Sequence, residues 1–136
     1  MIAELLLALQ AVVAPPIVMV PTPPRASLPP QDWSTLPLLP IRKPAPMSDY
    51  VRSEVLAARC DKAVKTTTGW SLTVDLAVLA TPDGRLRRVT PRAIDCPTVE
   101  QYAAGVILGS ARDPIVVPAT GTDTWYRTSL TFAWAG

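Results

Sequence analysis

Few side chains in this chain could carry out chemistry. Its 136 residues include no histidine, so the most frequent general base, the most frequent metal ligand and every imidazole-based triad are missing. Asp75, Asp83 and Asp95 form no pattern typical of a catalytic carboxylate pair, and Asp83 is explained by a turn. We therefore expect a protein that is not an enzyme and that uses no cofactor.

Cys60 and Cys96 are the two cysteines, too few for a structural zinc site and too far apart for a CxxC motif. Cys60 follows a predicted helix and Cys96 follows the second strand of a predicted hairpin, so both belong to the same end of that hairpin. A disulfide is expected if the protein is exported, and two buried thiols are the alternative. Closing this loop of 35 intervening residues would contribute roughly 3 to 4 kcal/mol.

The charged and aromatic residues favour structural roles. A net charge of +2 is too small for the basic surface of a nucleic-acid-binding protein, so no nucleic acid is expected as a partner. The basic hairpin either steers acidic partners or, as we favour, carries charge that prevents edge aggregation; its arginines are Arg85, Arg87, Arg88 and Arg92. The tryptophans of this region are assigned to the core or its rim, and they are Trp70, Trp125 and Trp134.

A short amphipathic helix is predicted over residues 50–59. Ser48 and Asp49 can cap its first turn. Its apolar stripe has the i, i+4 and i+7 spacing and consists of Val51, Val55 and Ala58.

A β-hairpin follows this helix. Strict alternation over residues 70–78 predicts a half-buried strand, and Pro82-Asp83-Gly84 turns the chain into a return strand over residues 86–94. If paired residue numbers sum to about 167, Val78 faces Val89 and Val74 faces Ala93. Pro91 cannot donate to a ladder, so the return strand should lie at an edge of the sheet.

The rest of the chain predicts a second helix and a third strand. Apolar spacing after Cys96-Pro97 indicates an amphipathic helix that ends before Asp113-Pro114, and alternation resumes over residues 125–134. The predicted fold is α+β, with the order α-β-β-α-β, a small three-stranded antiparallel or mixed sheet of order 2-1-3, and both helices on one face. The third strand then has an open outer edge, which needs protection or a partner strand.

The region before residue 48 differs in composition, since it holds eleven of the 16 prolines. Residues 1–20 are apolar and predict a signal peptide or a retained N-terminal anchor, with a buried or misassigned start as a further alternative. Residues 21–47 predict an extended proline-rich linker that spaces the domain, residues 48–136, or that is disordered without a specific role. Trp33, among leucines, either docks on the domain or stays in the linker.

The run GWSLTVDLAVLATPDGRLRRVTPRAIDCPTVEQYAAGVIL followed by VVPATGTDTWYRTSLTFAW resembles the C-terminal domain family of TonB-type energy transducers. The resemblance spans residues 50–134 and depends on the Pro82-Asp83-Gly84 turn, on Cys96-Pro97 before the helix, and on Pro118-Ala119 with Gly121 before the last strand. An apolar N-terminus and a proline-rich spacer match the layout of that family. The sequence departs from the family at Tyr50-Val51, where a Tyr-Pro pair is usual.

The resemblance implies a periplasmic, exported protein whose last strand binds a TonB-dependent outer-membrane receptor, or another envelope protein, by strand addition. If the N-terminus is an anchor, it also implies inner-membrane partners of the ExbB and ExbD type and a role in energy transduction. The alternative is a periplasmic accessory module that forms a homodimer through the same edge. The edge residues predicted to meet the partner are Trp125, Tyr126, Arg127, Thr128, Ser129, Leu130, Thr131 and Phe132.

Overall fold

A computed structural model describes residues 28–41, 46–118 and 121–136. Its elements, in chain order, are α1 (Asp49–Leu56), β1 (Val64–Lys65), β2 (Gly69–Ala80), β3 (Leu86–Pro91), α2 (Pro97–Ser110) and β4 (Thr124–Ala135). The predicted α+β class and the predicted order of the main elements are confirmed, and the short strand β1 is an addition. The signal peptide or anchor predicted over residues 1–20 lies outside the described residues.

Strand β2 is the centre of an antiparallel sheet. One of its edges pairs with β4 along its whole length, from Gly69 opposite Ala135 to Ala80 opposite Thr124. Its other edge pairs with β3 near the end of β2 and with β1 near the start. The predicted order 2-1-3 therefore describes the three long strands. Strand β1 escaped prediction because a two-residue strand has no alternation to detect.

The hairpin register is confirmed, since Val78 lies opposite Val89. A shift after Leu79 then places Ala80 opposite Leu86. The prediction that the return strand continues to residue 94 is wrong, since β3 ends at Pro91. Beyond it, the N–H of Arg92 still donates to the carbonyl of Asp75 at 2.8 Å. The predicted pair of Val74 with Ala93 is thus not part of the sheet. As predicted, β3 lies at an edge.

Helix α1 is shorter than predicted. It ends at Leu56, and Ala58 has left the helix with a φ of +58° and is exposed, so the apolar stripe stops at Val55. Ser48 occupies the N-cap position, but its side chain makes no capping hydrogen bond. The Ser48 hydroxyl instead accepts a hydrogen bond of 3.0 Å from the N–H of Ala133 on β4.

The hydrophobic core lies between the two helices and one face of the sheet. From residue 72 to 80 of β2 and from residue 126 to 132 of β4, the even-numbered residues point into it, while Thr73 and Thr131 are exposed on the opposite face. Cross-strand apolar pairs such as Leu72 with Phe132 fill the centre of this core. Its best-buried members include Val51, Leu72, Val74, Leu76, Val78, Val99, Ala103, Ile107, Leu130 and Phe132.

A disulfide between Cys60 and Cys96 fastens the chain after α1 to the N-cap of α2. The two Cα atoms are 5.2 Å apart and both side chains are buried. The predicted pairing is confirmed, and the alternative of two free thiols is wrong. Within the described ranges, no helix combines the length and the apolar character needed to cross a membrane.

Candidate partner-binding edge of strand β4

The eight edge residues predicted to meet a partner divide into two sets. The even-numbered set is buried on the helix side of the sheet, and it comprises Tyr126, Thr128, Leu130 and Phe132. The odd-numbered set lies on the opposite side, and it comprises Trp125, Arg127, Ser129 and Thr131. Alternate residues of an edge strand direct their N–H and C=O groups away from the paired neighbour. On β4 those are the odd-numbered residues, so a partner strand would pair with their backbone.

This outer edge already carries an extended segment of the same chain. The N–H of Arg127 donates to the carbonyl of Pro37, and the N–H of Leu39 donates to the carbonyl of Arg127, each at 2.9 Å. The two bonds form a parallel bridge between Leu38 and Arg127. The guanidinium Nε of Arg127 donates a further 2.9 Å bond to the carbonyl of Leu36. We call residues 33–41 the strap.

The strap touches both sides of the sheet. Leu39 is 7% exposed and belongs to the hydrophobic core, whereas the neighbouring Leu38 is 65% exposed. On the opposite face, the indole of Trp33 stacks on the guanidinium of Arg92, whose Cζ lies 4.2 Å from the ring centroid. Of the two interpretations of Trp33, docking on the domain is therefore the one that the structure shows. Part of the predicted linker packs on the predicted domain.

A groove of about 240 Å³ lies between the strap and the exposed face of the sheet. Its charged groups are the carboxylate of Asp75 and the guanidinium groups of Arg92 and Arg127. Its remaining lining residues are Trp33, Ser34, Leu38, Thr128 and Ser129. Among the described residues, no three histidine, cysteine or acidic side chains lie together as metal ligands would.

Two further positions define the outer edge beyond the strap. The N–H of Ala133 is bonded to the hydroxyl of Ser48, so the start of α1 covers the far end of the strand. The hydroxyl of Thr131 pairs with that of Thr73 on the sheet face, 2.9 Å away. Within the described part of the chain, the outward N–H and C=O of Thr131 have no protein partner.

The basic hairpin residues have partners within the chain. Arg87 donates to Asp123 at 2.7 Å, and Arg85 lies 3.6 Å from Asp83. Arg92 contacts Trp33. These contacts favour the structural interpretation of this charge over the steering of acidic partners.

Glu54 is a buried carboxylate that the sequence pattern did not single out. Arg59 donates to it through Nε and Nη2, and the hydroxyl of Thr98 on α2 adds a third bond. The hydrogen bond from Arg59 is the main reason why the pKa of Glu54 lies below its ordinary value, although burial opposes this effect. The group links α1 to α2 and to the disulfide loop, and it is a structural ion pair.

No protein-family model matches this chain, and neither the curated proteins nor the solved structures contain a match to it.

Proposed function

We propose that this chain is a periplasmic binding domain of the TonB C-terminal type, which engages an outer-membrane receptor or another envelope protein by strand addition along β4. One observation carries the proposal: the backbone of Arg127 already pairs with an extended segment. The edge therefore has the geometry that strand addition requires. The disulfide agrees with an oxidising compartment such as the periplasm.

A part in energy transduction is a wider proposal. It would require an anchored N-terminus and inner-membrane partners of the ExbB and ExbD type. The segment that would anchor the chain, residues 1–20, lies outside the described residues.

The proposal can be tested by calorimetric titration with synthetic peptides that copy the N-terminal segments of outer-membrane receptors from the same cell. Thr131→Pro removes an outward N–H without breaking a bond of the β2–β4 ladder. Thr131→Ala is the matched control, because it removes the same hydroxyl and keeps the N–H. We expect the wild type and Thr131→Ala to bind alike and Thr131→Pro to bind about tenfold more weakly.

Two results would contradict the proposal. One is equal affinity of Thr131→Pro and Thr131→Ala, and the other is no binding of any receptor peptide. If the second result comes with a stable dimer that Thr131→Pro dissociates, the alternative of a self-associating accessory module is favoured. Sedimentation velocity on the three proteins measures that dimer directly.

A further inference from the structure

We propose that the strap occupies the partner site of β4 and competes with the partner, and that the partner segment must run parallel to β4 and insert a large aliphatic side chain where Leu39 lies. This inference rests on the proposed function and deepens it. It specifies the chemistry of the partner segment and adds a step in which the strap is displaced.

The backbone contacts define the direction of the strap on β4. Arg127 uses both its N–H and its C=O, and their partners are two residues apart, Pro37 and Leu39. This is the pattern of a parallel bridge, in which one residue of a strand pairs with the two residues that flank its neighbour. A partner that copies this pattern, with one residue accepting from Arg127 and the residue two positions later donating to it, runs in the same direction as the strap.

The side chains define what the partner offers. Adjacent residues of an extended segment point to opposite sides. Accordingly Leu39 enters the hydrophobic core, while Leu38 lies beside the groove and is largely exposed. Removal of Leu39 would leave apolar surface of this core uncovered, so an aliphatic residue from the partner must replace it. The position of Leu38 accepts a wider range of residues.

The attachment of the strap is weak enough to exchange. Among the described residues, Arg127 joins the strap to β4 by three hydrogen bonds, two through its backbone and one through its side chain. The β2–β4 ladder beneath it pairs twelve residues with twelve. Local unfolding begins in the part of a structure that is held by the fewest interactions, so the strap can detach while β4 stays in the sheet.

The first experiment measures amide hydrogen exchange in the full chain. Leu39→Asp places a charge in the core and should detach the strap, whereas Leu38→Asp adds the same charge at the exposed neighbour. We expect exchange of the Arg127 N–H to speed up about tenfold or more in Leu39→Asp and to stay near the wild-type rate in Leu38→Asp. Thr128, which faces β2, should remain protected in both variants and reports that the sheet is intact.

The second experiment supplies the strap in trans. A synthetic peptide of residues 31–41, QDWSTLPLLPI, is added to the Leu39→Asp variant. It should bind and restore slow exchange at Arg127, and the same peptide carrying Leu39→Asp should do neither. The inference is overturned if exchange at Arg127 is unchanged in Leu39→Asp, or if both peptides act alike. If Thr128 also loses protection, Leu39→Ala takes the place of Leu39→Asp under the same two criteria.

Receptor peptides separate this inference from the proposed function. Competition by the strap predicts that they bind Leu39→Asp about tenfold more tightly than Leu38→Asp. If the strap peptide binds in trans and no receptor peptide binds either variant, the proposed receptor is wrong while the strap site stands. If receptor peptides bind both variants equally, the proposed function stands and competition by the strap is refuted.

Discussion

At the scale of single residues, the ion pair of Glu54 with Arg59 makes stability depend on pH. Because its folded-state pKa is lowered, Glu54 stays ionised at pH values where a glutamate of the unfolded chain already takes up a proton. The contribution of Glu54 to the free energy of unfolding is therefore complete above the ordinary pKa of glutamate. It is lost as the pH falls through the lowered folded-state pKa.

Two variants test this ion pair. Glu54→Gln removes the titrating group, and Arg59→Ala removes the main cause of its lowered pKa. In urea denaturation between about pH 7 and pH 3, both should show a shallower fall in the free energy of unfolding than the wild type. Asp83, whose pKa is lowered by the Thr81 hydroxyl, leaves a residual slope. An unchanged slope in both variants would contradict this interpretation.

Gly84 is the residue on which the hairpin turn depends. Its φ is +84°, and a Cβ there would lie 1.9 Å from the carbonyl oxygen of Ile115. The loop after α2 packs on this turn, since the N–H of Ile115 donates to the carbonyl of Gly84 at 2.8 Å. The sequence predicted the turn but not the contact, because the Pro82-Asp83-Gly84 signal is local and Ile115 is distant in sequence.

Two alanine variants separate the effect of φ from that of the contact. Gly84→Ala should lower the free energy of unfolding by about 3 kcal/mol or more. Gly121 also has a positive φ, +71°, but no described atom lies within 4 Å of its Cβ position, so Gly121→Ala should cost only about 1 kcal/mol. Equal costs, measured by thermal or urea unfolding, would mean that the Ile115 contact is unimportant.

At the scale of elements, the disulfide is the main covalent constraint on how α1 and α2 sit together. Replacing Cys60 and Cys96 with alanine should lower the free energy of unfolding by about 4 kcal/mol, because the unfolded chain regains the freedom of a 36-residue separation. The wild type under reducing conditions should match the double variant, and the variant itself should not respond to reductant. A double variant as stable as the oxidised wild type would contradict this expectation.

The long elements were predictable because their patterns are local. Alternation in β2 and β4, the apolar spacing of α2 and the missing N–H of Pro91 each depend on neighbouring residues, and together they fixed the sheet order. The strap was not predictable in the same way. A single bridge at Leu38 leaves no alternating pattern in the sequence, and Pro37 and Pro40 are typical of an extended linker. Docking of the strap depends on β4, which is distant in sequence.

Ser48 illustrates the same limit. As a residue before a helix it predicts an N-cap, yet its hydroxyl is bonded to Ala133 of β4 instead. Sequence could place the candidate site on the last strand. It could not reveal that Arg127 and Ala133, near the two ends of that strand, already have partners from the N-terminal half of the chain.

At the scale of the whole molecule, the chain is an antiparallel sheet with two helices on one face and a strap along one edge. The helices and the disulfide stabilise the buried face, and the strap covers part of the edge that we propose for a partner. In this arrangement, binding of a partner requires release of the strap. The partner can form hydrogen bonds with the backbone of Arg127 only when the strap, including Leu38 and Leu39, has detached.

The central claim is that partners bind along the outer edge of β4. The most direct measurement follows backbone amide signals by NMR while a receptor N-terminal peptide is added to the labelled full chain. The account predicts that the largest changes occur at Arg127, Thr131 and Leu39, with small changes at Thr128 and Leu130. Changes centred on the helix surface around Tyr50 and Tyr102, with the β4 edge unaffected, would contradict it.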